Sequence, residues 1–262
     1  EKNLNKVRIF DGSWHLQNTN RDALNEFNLF HIENASFFDI DKYSDHKSNL
    51  PHMLPSKDIW EKIMSDPGVN NSDHIIVYDN SDVFSSCRVW FTFLYFGHDS
   101  SLVSVLDGGL KKWLIEKRAV TNVKKNFAPS SYVACENKSL VLNKSQINEN
   151  IKNKSFELVD ARSNERFLGN KPEVRKDLKS GNIEGSKNLP FTEIINIDDH
   201  TFKKEIDLIS IFKKKNINPH EKIAFTCGSG ITACVLGLTN SIISGKKPII
   251  YDGSWAEYGK LK

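Results

Sequence analysis

Cys227-Gly228-Ser229-Gly230-Ile231-Thr232-Ala233-Cys234 stands between two segments of different periodicity. Ahead of it, Ile223-Ala224-Phe225-Thr226 is a short apolar run, the pattern of a buried strand. Behind it, Val235, Leu236, Leu238, Ile242 and Ile243 recur at roughly helical spacing, and Gly245 marks a helix end. The octapeptide therefore reads as a strand-to-helix loop with a thiol at its first position and glycines at its second and fourth. Glycines let the backbone curl so that successive N–H groups point into one concavity. The helix N-terminus adds partial positive charge to that concavity. A cysteine held there is favoured as the thiolate, and the thiolate is the nucleophile. The competing reading is a buried, inert cysteine, the usual state of a free one.

The rest of the composition narrows the class of protein. A chain of 262 residues holds one large domain or two of ordinary size. With 39% hydrophobic and 26% charged residues it has the balance of a soluble globular protein. A net charge of +3 is too small to argue for nucleic acid or an anionic membrane. Lys213-Lys214-Lys215, the densest basic run, follows an apolar helix-like segment and reads as a solvated face. No stretch approaches the roughly eighteen apolar residues that span a bilayer. Glu1 opens the chain without a Met, so any targeting segment is expected to have been removed or not included. Four cysteines are too few for a disulfide scaffold and suit a reducing compartment, the cytoplasm or the mitochondrion. Cys227 and Cys234 have no second pair, so neither a zinc site nor another cofactor is expected.

Taken in order, the chain repeats itself. Val7-Arg8-Ile9-Phe10-Asp11 is a short strand ending in an acid, and a polar, helix-compatible stretch follows. Ser56 is a plausible N-cap for a helix over 57–64. Ile75-Ile76-Val77-Tyr78-Asp79 reads as a buried strand, residues 88–96 as a helix, Val103-Ser104-Val105-Leu106-Asp107-Gly108 as a strand and turn, and 110–117 as a helix. A polar, irregular segment with Pro129 at its middle gives a linker at 123–138, between domains at 1–122 and 139–262. The same landmarks then return. Asp11 and Asp160 end equivalent strands, Ile32 matches Ile183, Asp79 matches Cys227 and Asp107 matches Asp252, at offsets of 149, 151, 148 and 145. Strands alternating with helices in each half predict two tandem α/β domains, each a mostly parallel sheet flanked by helices. Ligands in such folds sit beyond the carboxyl ends of the strands, where Cys227 falls. Asp79 stands in its place in the first half and cannot attack an electrophilic sulfur. The second domain is thus expected to be catalytic, with the first as a structural partner that helps close the site.

These residues resemble the tandem rhodanese-domain sulfurtransferase family, in particular its 3-mercaptopyruvate sulfurtransferases. The resemblance rests on the Cys-Gly-Ser-Gly-x-Thr-Ala-Cys loop, on 7–14, 31–41, His52-Met53-Leu54-Pro55, 106–113, 159–162 and 251–255, and covers nearly the whole chain. It implies that Cys227 attacks the thiol sulfur of 3-mercaptopyruvate, leaving pyruvate and an enzyme persulfide. A thiol, cyanide or a thioredoxin-type protein then takes the outer sulfur, with hydrogen sulfide among the products. Related thiosulfate sulfurtransferases carry basic residues after the cysteine, suited to a dianion, where this chain has Gly228 and Ser229. The resemblance assigns two arginines nine residues apart, Arg166 and Arg175, to the substrate carboxylate, and Gly228, Gly230 and Thr232 to the loop around it. It assigns proton movement to Ser229, His52 and Asp41, with His52 as relay and a carboxylate fixing its tautomer. A monomer or weak dimer is expected.

The chain also departs from its family. His31-Ile32-Glu33-Asn34-Ala35 and Asn182-Ile183-Glu184-Gly185 lack the proline that many relatives have in these turns, and the second lacks a histidine. Of the other cysteines, Cys87 and Cys234 are expected near helix starts, Cys234 facing inward, and Cys135 in the linker as an oxidisable thiol. A cysteine phosphatase needs an arginine six residues after its nucleophile, and Ala233 stands there. Two other readings stay open: a thiosulfate:cyanide sulfurtransferase, and a sulfur-relay or binding module with little turnover on small substrates.

Overall fold

A computed structural model describes residues 6–261, which divide into two compact units. The first comprises 6–46, 54–137 and 198–201, the second 47–53, 138–197 and 202–261. In the first unit β1 (Val7–Asp11), β2 (Ala35–Phe37), β3 (His74–Tyr78) and β4 (Val103–Val105) form an all-parallel sheet in the order β2-β1-β3-β4. Adjacent residues of a strand face opposite ways, and Ile9 and Phe10 divide the unit accordingly. On the Ile9 side, Phe27 of α1 (Ala23–Leu29) and Leu110 of α4 (Gly109–Ile115) pack with Ile32, Ala35 and Tyr78. On the Phe10 side the core is aromatic. Phe10 meets Phe93 of α3 (Ser86–Tyr95), and Trp60 of α2 (Lys57–Ser65) lies between Phe93, Phe96 and Phe38. All of α3 is buried, so it carries apolar residues on every side. Ser56 precedes α2 in extended backbone but makes no side-chain bond to a helix amide.

The second unit repeats this order and adds a strand. β5 (Val141–Leu142), β6 (Glu157–Asp160), β7 (Lys187–Asn188), β8 (Ile223–Thr226) and β9 (Ile250–Tyr251) form a parallel sheet in the order β5-β9-β8-β6-β7. Its registers superpose on those of the first sheet: Asp11 pairs Phe37 and Tyr78, and Asp160 pairs Asn188 and Thr226. Ile147 of α5 (Lys144–Asn153) and Trp255 of α9 (Ser254–Tyr258) cover one face with Leu158, Ala224 and Tyr251. α7 (Glu205–Lys214) and α8 (Thr232–Ser244) complete the unit. α8 approaches β9 so closely that a Cβ on Gly237 would lie 2.9 Å from Pro248. It ends as the sequence predicts, at Gly245 in the left-handed region (φ 70°).

The two turns that lack proline share one conformation. The N–H of Ala35 bonds the carbonyl of Ile32 at 3.0 Å, and that of Ser186 bonds Ile183 at 3.1 Å. The third residue of each turn is left-handed, Asn34 at φ 65° and Gly185 at φ 77°. Asn and Gly tolerate that conformation, so it survives with Glu33 and Glu184 at the position where proline only pre-sets φ. The segment proposed as linker runs along the first unit. Ser130, Cys135 and Asn137 donate their N–H groups to the carbonyls of Ser65, Phe96 and Tyr95.

One difference between the repeats has an electrostatic consequence. Asp160 is paired with Arg162, but the residue two after Asp11 is Ser13. Asp11 is 2% exposed and its Oδ1 accepts from the hydroxyl of Ser13 at 2.5 Å and its N–H at 2.9 Å. Burial, countered by these bonds and helped by the neighbouring Asp79 charge, raises its pKa to about 6 from 3.8. A carboxyl whose pKa is higher folded than unfolded stabilises the fold relatively at low pH. The ionised group costs the folded state about 3 kcal/mol, fully present above about pH 6 and absent below the unfolded value. Asp11→Asn, which keeps the accepting oxygen, is therefore expected to raise the melting temperature more at pH 8 than at pH 4.5. An equal shift at both values would contradict the assignment.

Candidate active site

β8 ends at Thr226, so Cys227 is the first residue past the carboxyl end of a central strand. It is 2% exposed. Its backbone is held by the start of α9. The N–H of Cys227 donates to Ser254 Oγ at 3.2 Å, and the carbonyls of Cys227 and Gly228 accept from Trp255 and Ala256 at 3.0 and 2.8 Å. The two loop glycines meet different needs. Gly230 is left-handed at φ 80° and turns the chain into α8. Gly228 needs no such conformation; instead, a Cβ there would lie 3.3 Å from Nη2 of Arg166. Thr232, half-buried, opens α8, and buried Cys234 donates its S–H to the carbonyl of Gly230 at 3.2 Å.

A chain of alternating charges reaches this loop from the sheet. The Arg162 guanidinium, with its side chain 1% exposed, bonds Asp160 at 2.7 Å, the Gly181 carbonyl at 2.8 Å and Glu173 Oε1 at 2.7 Å. It stacks 4.4 Å from the ring of Trp255. Burial opposes its charge, but Asp160 and Glu173 outweigh burial and raise its pKa. The other oxygen of Glu173 accepts from Arg166, through Nε at 3.2 Å and through Nη2 in a short ion pair. Arg166 lies on α6 (Asn164–Phe167). Arg175 is half-buried, and burial lowers its pKa, with Arg166 adding to the effect. Asp177, the Cys227 sulfur and Glu173 act on Arg175 in the opposite sense. Arg166 thus reaches the loop at Gly228, and Arg175 follows it nine residues along the chain.

His52 and Ser229 also meet. Residues 47–53 cluster with the second unit, and His52 Nδ1 lies 3.0 Å from Ser229 Oγ. His52 is buried and left-handed (φ 60°), a conformation for which histidine is enriched among non-glycine residues. Asp41 belongs to the first unit, is exposed, and accepts from Trp14 Nε1 at 2.9 Å.

The equivalent loop of the first unit carries its own anion. Oδ1 of Asp79 accepts from the N–H of Ser81 at 3.1 Å and Oδ2 from the N–H of Ser86 at 2.7 Å, at the start of α3. These amides correspond in sequence to those of Ser229 and Cys234. Burial raises the Asp79 pKa against these bonds. A carboxylate therefore fills the turn that in the second unit surrounds a thiol.

Sequence reasoning did not single out Glu173, Ser254 or Trp255, and it quoted Arg162 only as motif context. The Asp-x-Arg spacing was the available signal for Arg162, because an acid at a strand end two residues from an arginine pairs readily once both are buried. Among the described residues no group of three His, Cys, Asp or Glu side chains is placed to hold a metal ion. Among them, too, no helix is long and apolar enough to cross a membrane.

Two parallel α/β units in tandem, one with a cysteine at the nucleophile position of a strand-to-helix loop, define a class, and the chain belongs to it: the rhodanese-like domain family, matched over residues 20–116 and 143–261. Its similar proteins are sulfurtransferase enzymes. It is 38% identical over 257 residues to 3-mercaptopyruvate sulfurtransferase of Mus musculus, covering 96% of this chain and 84% of that one. It is 37% identical over 255 residues to thiosulfate sulfurtransferase of Rattus norvegicus, with the same coverage. The crystal structure of SseA from Escherichia coli, a 3-mercaptopyruvate sulfotransferase, matches with a TM-score of 0.85 and 31% identity over 96% of this chain and 94% of that one. Identities of 38% and 37% do not separate the two donors, so the choice between them falls to the site.

Proposed function

We propose that the protein moves sulfur from 3-mercaptopyruvate to a thiol acceptor through a persulfide on Cys227. The observation that carries this reading is one buried thiol in a strand-to-helix loop that Nη2 of Arg166 reaches at Gly228, with Arg175 nine residues along the same segment and the uncharged pair Gly228-Ser229 after the thiol. Two planar guanidinium groups suit a carboxylate beside a ketone. A dianionic donor would gain from a further cation in the loop, and the loop has none.

The Cys227 thiolate attacks the donor sulfur, an S–S bond forms, and the C–S bond breaks with its electron pair moving to the methylene carbon. That carbon becomes the enolate terminus of pyruvate and must be protonated. The donor's thiol proton supplies the need: passed through Ser229 Oγ and His52, it ends on carbon and leaves the persulfide anion. Asp41, exposed and bonded to Trp14, keeps only the role that the resemblance gives it. Gly230 and Thr232 shape the turn around the substrate. An acceptor thiolate, small or on a thioredoxin-type protein, then attacks the outer sulfur and displaces the Cys227 thiolate; a second thiol releases hydrogen sulfide. A monomer or weak dimer in the cytoplasm or mitochondrion, acting without a cofactor, belongs to the same proposal.

Steady-state transfer from 3-mercaptopyruvate and from thiosulfate, with the same acceptor, tests the donor. We expect kcat/KM for mercaptopyruvate to exceed that for thiosulfate by about tenfold or more, the usual value of one well-placed charge interaction. A preference for thiosulfate would transfer the reading to a thiosulfate:cyanide sulfurtransferase. Negligible turnover on both would leave a relay module.

A further inference from the structure

We propose that Glu173 is the positioning residue of the substrate clamp, holding Arg166 at the nucleophile loop by tying it to the buried Arg162. This rests on the reading of Arg166 as a contact for the donor carboxylate.

Glu173 has a side chain only 1% exposed, and each of its oxygens is committed to a different guanidinium, Oε1 to Arg162 and Oε2 to Arg166. It cannot turn without breaking one of these bonds. Arg162 is fixed in its own right by Asp160, the Gly181 carbonyl and the face of Trp255. Arg166 has no comparable support. It stands on a four-residue helix with 27% of its side chain exposed, and an arginine left to itself has many rotamers to lose. Glu173 transmits the fixed direction of Arg162 to Arg166, whose Nη2 then lies against Gly228, next to the nucleophile.

The charge distribution agrees. Among the described residues no carboxylate lies within ion-pair distance of Arg175, whereas Arg166 is paired through Glu173. The donor carboxylate meets one guanidinium already oriented and another uncommitted to an ion pair. Buried ion pairs contribute little net stability over apolar packing, so orientation is the stronger reason for a buried carboxylate here.

The test uses the full chain with Glu173→Ala and Glu173→Gln. One readout is KM and kcat for 3-mercaptopyruvate. The second needs no sulfur transfer: the ratio of alkylation rates at Cys227 by iodoacetate and iodoacetamide, followed on the Cys227 peptide by mass. Iodoacetate carries the carboxylate that the clamp should recognise; iodoacetamide does not. In Glu173→Ala we expect KM to rise about tenfold to a hundredfold with kcat changed only a few-fold, and the ratio to fall by a similar factor. Glu173→Gln keeps the volume and one acceptor and should fall between. Should the alanine variant fail to fold by near-ultraviolet circular dichroism, the glutamine variant decides. A folded variant with wild-type KM and wild-type alkylation ratio would overturn the positioning role. A ratio that falls in a protein that never turns over mercaptopyruvate would sink the donor assignment and leave Glu173 in place.

Discussion

Cys227→Ser is expected to lose sulfur transfer from every donor, with kcat/KM down by at least about 10⁴-fold, as when other enzymes lose their nucleophile. Serine cannot form the S–S bond, and its hydroxyl is not ionised at neutral pH. The loss should be purely chemical. The contacts that hold Cys227 are those of its backbone, the N–H to Ser254 and the carbonyl to Trp255, and serine keeps both. The side chains are similar in size, so the melting temperature should move little. Activity in the variant within tenfold of the wild type, with acceptor present, would mean that another cysteine carries the sulfur. Cys135 is the exposed thiol to examine in that event, since Cys87 and Cys234 are buried.

Arg162→Met should have the largest effect on stability. Methionine roughly fills the volume but leaves Asp160 buried without its cation and takes from Glu173 one of its two. Removing one partner of a buried ion pair costs about 3–5 kcal/mol, because the remaining charge is stranded in a low-dielectric interior. The cost should fall on the second unit, where all three residues lie, and appear in urea unfolding as an earlier transition of that unit. Replacing Asp160 by Asn in the same chain should recover part of the loss by removing one stranded charge. A single Arg162→Met variant that unfolds with the wild type would show that the network does not hold the strand ends together.

Much of this architecture was legible because each repeat states it independently. β1 and β8 occupy the residues that their apolar runs predict, and α8 stops at its glycine. The equivalence of Asp79 and Cys227 places both at the same loop of the same sheet order. Most of what escaped was very short or made only by tertiary contact. β5 and β7 have two residues each, too few for any alternation to show. α5 was missed although Asn143 and Gln146 form a capping box, a signal present in the sequence and not used.

The site divides along the same line. Cys227 is marked by its own loop, and Arg166 and Arg175 are assigned by the resemblance, whose motif sets them nine residues apart. Glu173 sits in a polar segment between the arginines, where a glutamate reads as solvated; only the fold buries it against Arg162. His52 is 177 residues from Ser229 in sequence, and no periodicity links the two. The pKa of Asp11 likewise depends on a residue that is not there, an arginine at the position of Ser13.

The most direct test is to treat the protein with 3-mercaptopyruvate without acceptor, digest it, and weigh the cysteine peptides. A persulfide mechanism predicts one added sulfur atom on the Cys227 peptide, none on those of Cys87, Cys135 or Cys234, and pyruvate released in equal amount. Pyruvate formed with no sulfur gained at Cys227, or sulfur found on another cysteine, would contradict it.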